Sequence, residues 1–530
     1  MANAKVFRKS PKGKLAPPTD TVNAAGGVAY SKSPEGALAN YACVGTIHDT
    51  YYISADKQLQ DVIGMCNQVS PEFIAKTAVY ARQEGYMKDL PCLLLAILLI
   101  KDVQLFKRVF PKVVDNVKML RTFVQIIRSG VIGRKSLGSA AAKCIKRWFD
   151  GWNDANKLFN STIGSNPSIG DIIRLAHPKP KDETFSALFA YLCGFPHSVD
   201  QLPENVKRYE LLKKNYAEGV EWEELPDINF QYLTSIKLTT KNWKNIAKNA
   251  SWQTTRMNLN AFAKHGVFNY PSGNGEDPAF VNLIYDRLRN AEEIAKSRVF
   301  PYQLLMAYKM TQNIPNKVRD ALQDAMEIST QNVPEIAGKI IVAVDSSGSM
   351  SWNITGDRGR SSSQVKCSDV AGLIAAAIKR KNPDTTIISF DTSARKEDVN
   401  ARDSVMTMAN ILSKSGGGTD IGSAIRYLND NKISGDLLII VSDNESWFDG
   451  RKSYCSGTSA MSAWNTFKVK NPNAKCICID IQPNKTNQIK ESSDVIHVAG
   501  FSDVVFELIS KIAGGAGENT FVNTINDVAI

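Results

Sequence analysis

An aspartate and two serines stand at alternate positions, Asp345, Ser347 and Ser349, in the run DSSGS that directly follows an apolar segment, 339–344. One carboxylate and two hydroxyls along a single loop offer oxygen ligands. A hard cation such as Mg²⁺, kept partly hydrated, takes such ligands. The position suits a ligand too, because open α/β sheets bind beyond the carboxyl ends of their strands. Two later segments can complete the set. The run 416–420, GGGTD, offers the Thr419 hydroxyl ahead of a helical pattern, and Asp443 follows the apolar run 437–441. Any one segment alone reads better as a strand-end loop whose polar side chains cap helices. Three together favour a metal site. The glycine run is not a phosphate loop, because it lacks the lysine and spacing of G-x-x-x-x-G-K-[ST]. No H-E-x-x-H or G-x-S-x-G occurs, and the five histidines, His48, His177, His197, His265 and His497, form no catalytic pair by local spacing. A two-metal nuclease needs clustered carboxylates. Asp345 and Asp443 are the only obvious charges here, so a Mg²⁺-dependent nuclease ranks last and a non-enzymatic protein is expected.

The second chemical signal is charge. The 530-residue chain carries 64 Lys+Arg and 53 Asp+Glu, a net charge of +11. Residues 336–530 hold 21 of each sign, so the whole excess lies before them. Between Lys101 and Trp148 there are 12 basic residues and two acidic ones, Asp102 and Asp115. Such density suggests an anionic partner, nucleic acid first, although a solvated helical face weighs about equally on charge alone. The best candidates for phosphate contact are Lys107, Arg108, Lys112, Lys118, Arg121, Arg128, Arg134, Lys135, Lys143, Lys146 and Arg147. Trp148, Phe149 and Trp152 read as core, or else as stacking platforms.

The elements that must position these residues follow from pattern. Residues 1–20 read as a flexible basic tail. The paired glycines of AAGGVAY, 24–30, suggest a tight turn. From 33 to 330 the periodicity is helical, as in Phe73, Thr77, Tyr80 and Ala81, and in Leu120, Phe123, Val124 and Ile127. Pro71, Pro91, Pro111, Gly130, Gly133, Pro167, Pro178 and Pro196 are expected to cut it into short helices. Short helices in succession suggest an α-solenoid of stacked pairs, with a helical bundle as the alternative. From about 336 strands and helices alternate: strands at 339–344, 385–390, 437–441 and 476–479, helices at 365–380, 401–412, 421–428 and 501–512. That order implies a doubly wound, mostly parallel sheet covered on both faces. The expected division is a tail 1–20, a helical domain 21–335 and an α/β domain 336–530. The longest apolar run, 90–100, is interrupted by Pro91 and too short for a bilayer, so it reads as a buried helix. The N-terminus shows no apolar signal-peptide core. Nine sparse cysteines, with Cys476 and Cys478 in an apolar run, read as buried thiols of a reducing cytoplasm rather than a disulfide framework or a zinc site.

The D-x-S-x-S, then Thr, then Asp pattern resembles the metal-ion-dependent adhesion site of von Willebrand factor A domains, over about 336–530. The resemblance implies direct or water-mediated coordination of a divalent cation, Mg²⁺, by Asp345, Ser347, Ser349, Thr419 and Asp443. In that family a partner's carboxylate often takes the open metal position. Upstream, 23–27 (NAAGG), 45–52 (GTIHDTYY), Gly133-Arg134, 171–180 (DIIRLAHPKP), 222–226 (WEELP) and 257–260 (MNLN) occur in an order similar to the TROVE module of the Ro autoantigen family and its bacterial relatives. In that family the module precedes a von Willebrand A domain, as here. The resemblance implies a monomeric ring of HEAT-like helical repeats closed by the A domain. It implies small structured noncoding Y-like RNA on a basic outer face, and single-stranded 3′ ends of misfolded RNA in the hole. It also implies a role in RNA quality control beside a ring exoribonuclease, polynucleotide phosphorylase, tethered through RNA. Arg174, His177 and Lys179 come from the matching segment. His177 could stack on a base or meet a phosphate, or serve as a structural histidine before Pro178. The residue chemistry agrees, since structured RNA is bound mainly through phosphates and shape. The expected function is a cytoplasmic RNA-binding scaffold with no membrane partner. The alternative is a metal-dependent adhesion or assembly protein that grips a partner's carboxylate.

Overall fold

The structure is a computed structural model that describes residues 16–45, 47–217, 228–234, 236–297, 299, 301–330, 333–355, 365–448, 457–500, 503–514 and 521–530. The expected tail up to residue 15 and the WEELP segment lie outside them. Contacts group the chain into two compact units. One comprises 1–90, 300–306 and 329–529; the other comprises 91–299 and 307–328. The change of pattern at about 336 therefore falls inside the first unit.

The first unit is built on a six-stranded sheet. Among the described residues the strands of this unit, in chain order, are β1 (Thr21–Val22), β2 (Val28–Ser31), β3 (Ile340–Asp345), β4 (Thr386–Phe390), β5 (Ala394–Glu397), β6 (Leu437–Ser442), β7 (Lys475–Asp480), β8 (Thr486–Asn487) and β9 (Val495–Ala499). The large sheet runs β5-β4-β3-β6-β7-β9, parallel except for the edge strand β5. All residues of β3, β6 and β9 are buried, which accounts for the apolar runs of β3 and β6 up to their terminal Asp345 and Ser442. One face, including Ile341, Phe390, Leu438 and Cys476, packs under the helices Ile421–Asp430 and Ser459–Lys470. The other is covered by Cys367–Lys381, which packs against Val405–Leu412. The doubly wound expectation is met.

The N-terminal segment adds to this body. β1 and β2 form a hairpin, and β2 pairs antiparallel with β8. The glycine pair makes the expected turn, with Gly26 at φ +85°. A Cβ on Gly27 would lie 2.0 Å from the Ser446 carbonyl oxygen, so only glycine lets the hairpin approach the loop after β6. The helices α1 (Pro34–Val44), α2 (Ala55–Cys66) and α3 (Pro71–Gln83) follow, each opened by a serine cap, Ser33, Ser54 or Ser70. The Lys32 ammonium meets Asp480 at the end of β7 at 2.5 Å, with both side chains almost wholly buried.

His497, in β9, is fully buried and its Nε2 lies 2.8 Å from the Ile489 carbonyl oxygen. Burial pushes its pKa down from 6.5 to about 4. The folded chain therefore refuses a proton that the unfolded chain accepts between those values. Stability from this group is full above about pH 6.5 and declines as pH falls toward 4, by roughly 3 kcal/mol. Acid unfolding of His497→Gln should show a flatter slope over that window; an unchanged slope would contradict the assignment.

The second unit is helical. After α4 (Asp89–Lys101) come α5 (Val103–Val113), α6 (Val117–Ser129), α7 (Gly138–Asp150), α8 (Ala155–Ser161), α9 (Ile169–Ala176) and α10 (Glu183–Cys193). Helix α5 packs on α7, α7 and α6 on α9, and α9 on α10. These are neighbours a few places apart in the chain. The stripe Leu120, Phe123, Val124 and Ile127 is buried, and Gly130 ends α6 in the left-handed region. Two expected breaks are corrected. Pro91 lies in the first turn of α4, where the orphan N–H positions of a helix tolerate proline. Pro111 lies in the last turn of α5, where the helix is about to end in any case. Apolar α4 is largely buried. Among the described residues no helix is long and apolar enough to cross a membrane.

Candidate metal centre and basic helical surface

Three loops at the carboxyl ends of β3 and β6 converge. Ser346 donates its N–H and its hydroxyl to the Phe390 carbonyl, at 2.7 and 2.9 Å. That anchors the even position inward, and the odd positions are the ones that cluster. Ser347 N donates to Asp345 Oδ1 at 2.8 Å, and the Ser347 and Ser349 hydroxyls lie 3.2 Å apart. The glycine loop is laced onto this turn by Gly348 N to Gly417 O, 3.0 Å, and Gly416 N to Ser346 O, 2.8 Å. Gly417 takes φ +81°, which glycine permits. The Thr419 carbonyl accepts from Trp447 N, Phe448 N and the Ser446 hydroxyl, fixing the third loop to the second. Asp345, Ser347, Ser349, Thr419 and Asp443 are all buried. The expected set is thus carried on loops tied to one another by their backbones.

Its carboxyl groups are all pushed toward the protonated form. Burial, then the charge of Asp443, pushes the Asp345 carboxyl up to about 7. Asp443 is raised chiefly by burial, against the hydrogen bond that Glu445 N donates to its Oδ1. Glu445, two residues on, is pushed up to about 8 by burial and by Asp443. Buried charges need compensation. Lys32, the nearby ammonium, is engaged by Asp480. Among the described residues no three His, Cys, Asp or Glu side chains converge closely enough to hold an ion by themselves. A cation here must draw on hydroxyls as well as carboxylates, and the donor set of two carboxylates and three hydroxyls fits a hard divalent ion. Sequence reasoning missed Glu445, and also Ser442, whose hydroxyl donates to Asp345 Oδ2 at 2.5 Å. It also missed that residues 49–53 lie over the site; only the closeness of Glu445 to Asp443 was a local signal.

The basic candidates divide into two groups. Arg108, Lys118, Arg128, Lys135, Lys143, Lys146, Arg147 and Lys179 are exposed, and Lys107 and Lys112 are half-buried. Lys143, Lys146 and Arg147 share one face of α7 at helical spacing. Arg134 donates Nε to the Ser136 carbonyl at 3.0 Å. Arg174 pairs with Asp171 at 3.0 Å, donates to the Cys193 carbonyl and lies over the Phe195 ring. His177 is exposed at the left-handed cap of α9, φ 51°.

Arg121 calls for a correction. Its guanidinium donates to the carbonyls of Pro167, at 2.7 Å, Ile163, at 2.9 Å, and Ser165, so it staples the loop before α9 rather than facing outward. Arg121→Ala is expected to cost about 1.5–3 kcal/mol of stability through lost charge-assisted hydrogen bonds. It should leave the salt dependence of RNA binding unchanged, as titrations at several salt concentrations would show. Among the aromatics, Phe149 is core, and Trp148 donates Nε1 to the Val114 carbonyl at 3.0 Å, which gives it a structural place.

The parallel sheet with polar loops at the carboxyl ends of β3 and β6 resembles a von Willebrand A domain, here accompanied by an α-helical unit. Residues 339–513 match the family model described as the Ro60 vWA domain. The chain is 24% identical to the RNA-binding protein RO60 of Deinococcus radiodurans, over 80% of this chain and 83% of that protein. It is 23% identical to the RNA-binding protein RO60 of Caenorhabditis elegans, over 45% of this chain and 38% of that one. The crystal structure of the Deinococcus radiodurans RO (RSR) protein matches the fold with a TM-score of 0.61 at 18% identity, covering 91% of this chain and all of that one. The resemblance to the Ro family, with its helical module and its own type of A domain, extends over most of the chain.

Proposed function

We propose that this chain is a non-catalytic RNA-binding scaffold of the Ro type. The observation that carries the reading is the concentration of excess positive charge on exposed positions of α5, α6 and α7. Lys and Arg at such density neutralise phosphates and release counterions, so affinity falls steeply with salt. The names of the relatives, both RNA-binding proteins, support the same ligand class. On this reading the outer basic face binds a small structured, Y-like noncoding RNA. A closed monomeric ring of HEAT-like repeats takes single-stranded ends of misfolded RNA, working in the cytoplasm beside an RNA-tethered ring exoribonuclease. Asp345, Ser347, Ser349, Thr419 and Asp443 hold a divalent cation, Mg²⁺, apart from the RNA face.

The test is RNA binding measured across salt concentrations, with and without chelator, for the native protein and for Asp345→Ala. A steep salt dependence, unaltered by chelation or by the substitution, is expected. Loss of RNA binding in a folded Asp345→Ala protein would overturn this division of labour. The adhesion reading is less favoured, because the donor set is buried beneath residues of the same chain.

A further inference from the structure

The candidate cation loops border a small cavity of about 10 Å³, walled by Tyr52, Ser349, Trp352, Asp443, Glu445 and Gln482 among others. That is room for about one water-sized group. A strap of the N-terminal segment, residues 50–53, lines it beside Ser349, itself one of the five donor residues. The strap is pinned from its outer side, where Trp352 Nε1 donates to the Asp49 carbonyl at 3.1 Å and the Tyr51 ring meets Trp352 edge-on at 6.0 Å.

Glu445 enters from the same side. Its N–H donates to Asp443 Oδ1 at 3.3 Å, and its own carboxylate is buried. Oε2 accepts from Ala25 N at 3.1 Å, in the NAAGG turn. Holding a backbone amide does not require a charge, since the neutral oxygen of a glutamine accepts it equally well. Glu445 and Asp443 are both buried and both line the same small cavity, so two carboxyl groups share one wall of it. A carboxylate has about four lone-pair sites, so the amide leaves it acceptor capacity.

We propose that Glu445 and the strap bearing Tyr52 belong to the cation site. They supply from within the chain the acceptor that a partner's carboxylate would otherwise bring. The cation then fastens residues 23–53 to the carboxyl end of the sheet and is not a docking point for another protein. Since no three acidic groups converge among the described residues, Glu445 acts across the small cavity, through a water or a donor hydroxyl. The proposal rests on the divalent-cation reading of Asp345, Ser347, Ser349, Thr419 and Asp443.

The experiment titrates Mn²⁺ into the metal-stripped full-length protein by calorimetry, with limited proteolysis at residues 45–53 in parallel. The native chain is expected to bind one Mn²⁺ and become protected in the strap. Glu445→Gln, which keeps the amide contact, should bind it at least tenfold more weakly, and Tyr52→Phe several-fold more weakly. Saturating acetate should leave the native affinity unchanged. Native affinity in both variants, or an acetate-dependent gain in the native chain, would overturn the proposal while leaving the cation reading intact. Absence of Mn²⁺ binding by the native chain would remove both. Should Glu445→Gln fail to fold, the affinity and strap protection of Tyr52→Phe decide alone.

Discussion

Replacing Lys143, Lys146 and Arg147 together by glutamine is expected to weaken RNA binding at least tenfold near physiological salt and to flatten its salt dependence. All three project from one face of α7, and all are exposed. If each neutralises one phosphate, the slope of log affinity against log salt should fall by about 1 per residue removed. Glutamine retains the helix propensity and the stem packing of these positions, so thermal stability should change little. Binding isotherms at three or more salt concentrations measure the slope directly. An unchanged slope would show that α7 faces solvent and that the basic excess serves another surface. Arg121→Ala is the matched control, since it removes a positive charge that is already held by backbone carbonyls.

The largest effect on stability is expected from Lys32→Met. Lys32 lies at the end of the N-terminal hairpin and meets Asp480 at 2.5 Å, with side-chain exposures of 4% and 2%. Asn40 of α1 donates to the same carboxylate oxygen at 2.9 Å, and its own oxygen accepts from Asn484 N at 2.9 Å. Removing the lysine leaves a buried carboxylate with one neutral donor. Breaking such a pair costs about 3–5 kcal/mol, most of it the burial of the abandoned charge. The double variant Lys32→Met/Asp480→Asn should recover much of the loss, because it removes both charges. Chemical denaturation of the two single variants and the double measures the coupling. A cost below about 1 kcal/mol for Lys32→Met would contradict the burial of the pair. Proteolysis should also reveal whether the hairpin is released with it.

What the sequence made legible was what it encodes locally. The strands β3, β6 and β7 were visible because buried parallel strands need uninterrupted apolar runs, and IIVAVD, LLIIVS and KCICID supply them. The edge strand β5, ARKE, gave no such signal because it is short and charged, with Arg395 and Lys396 exposed. β1, β2 and β8 were missed as strands for a different reason. Each is two to four residues long, and β2 pairs with a segment more than 450 positions away. The helix Ser459–Lys470 was overlooked although Ala460, Ala463, Trp464 and Phe467 recur at helical spacing. In the candidate cation site, hydroxyl and carboxylate spacing within each loop pointed to five residues. Glu445 and Tyr52 stayed hidden because their place beside it comes from the packing of the N-terminal segment, which no local pattern announces. Arg121 misled for the same reason, since its acceptors lie 42 to 46 residues downstream.

The central claim is that the basic helices of the second unit hold RNA. The most direct measurement is ultraviolet crosslinking of the native protein with its bound nucleic acid, followed by peptide mapping and sequencing of the RNA. Crosslinked peptides within 101–179, joined to a discrete structured small RNA, are the predicted result. A well-folded protein that carries no RNA at low salt, or crosslinks confined to the α/β domain, would contradict it.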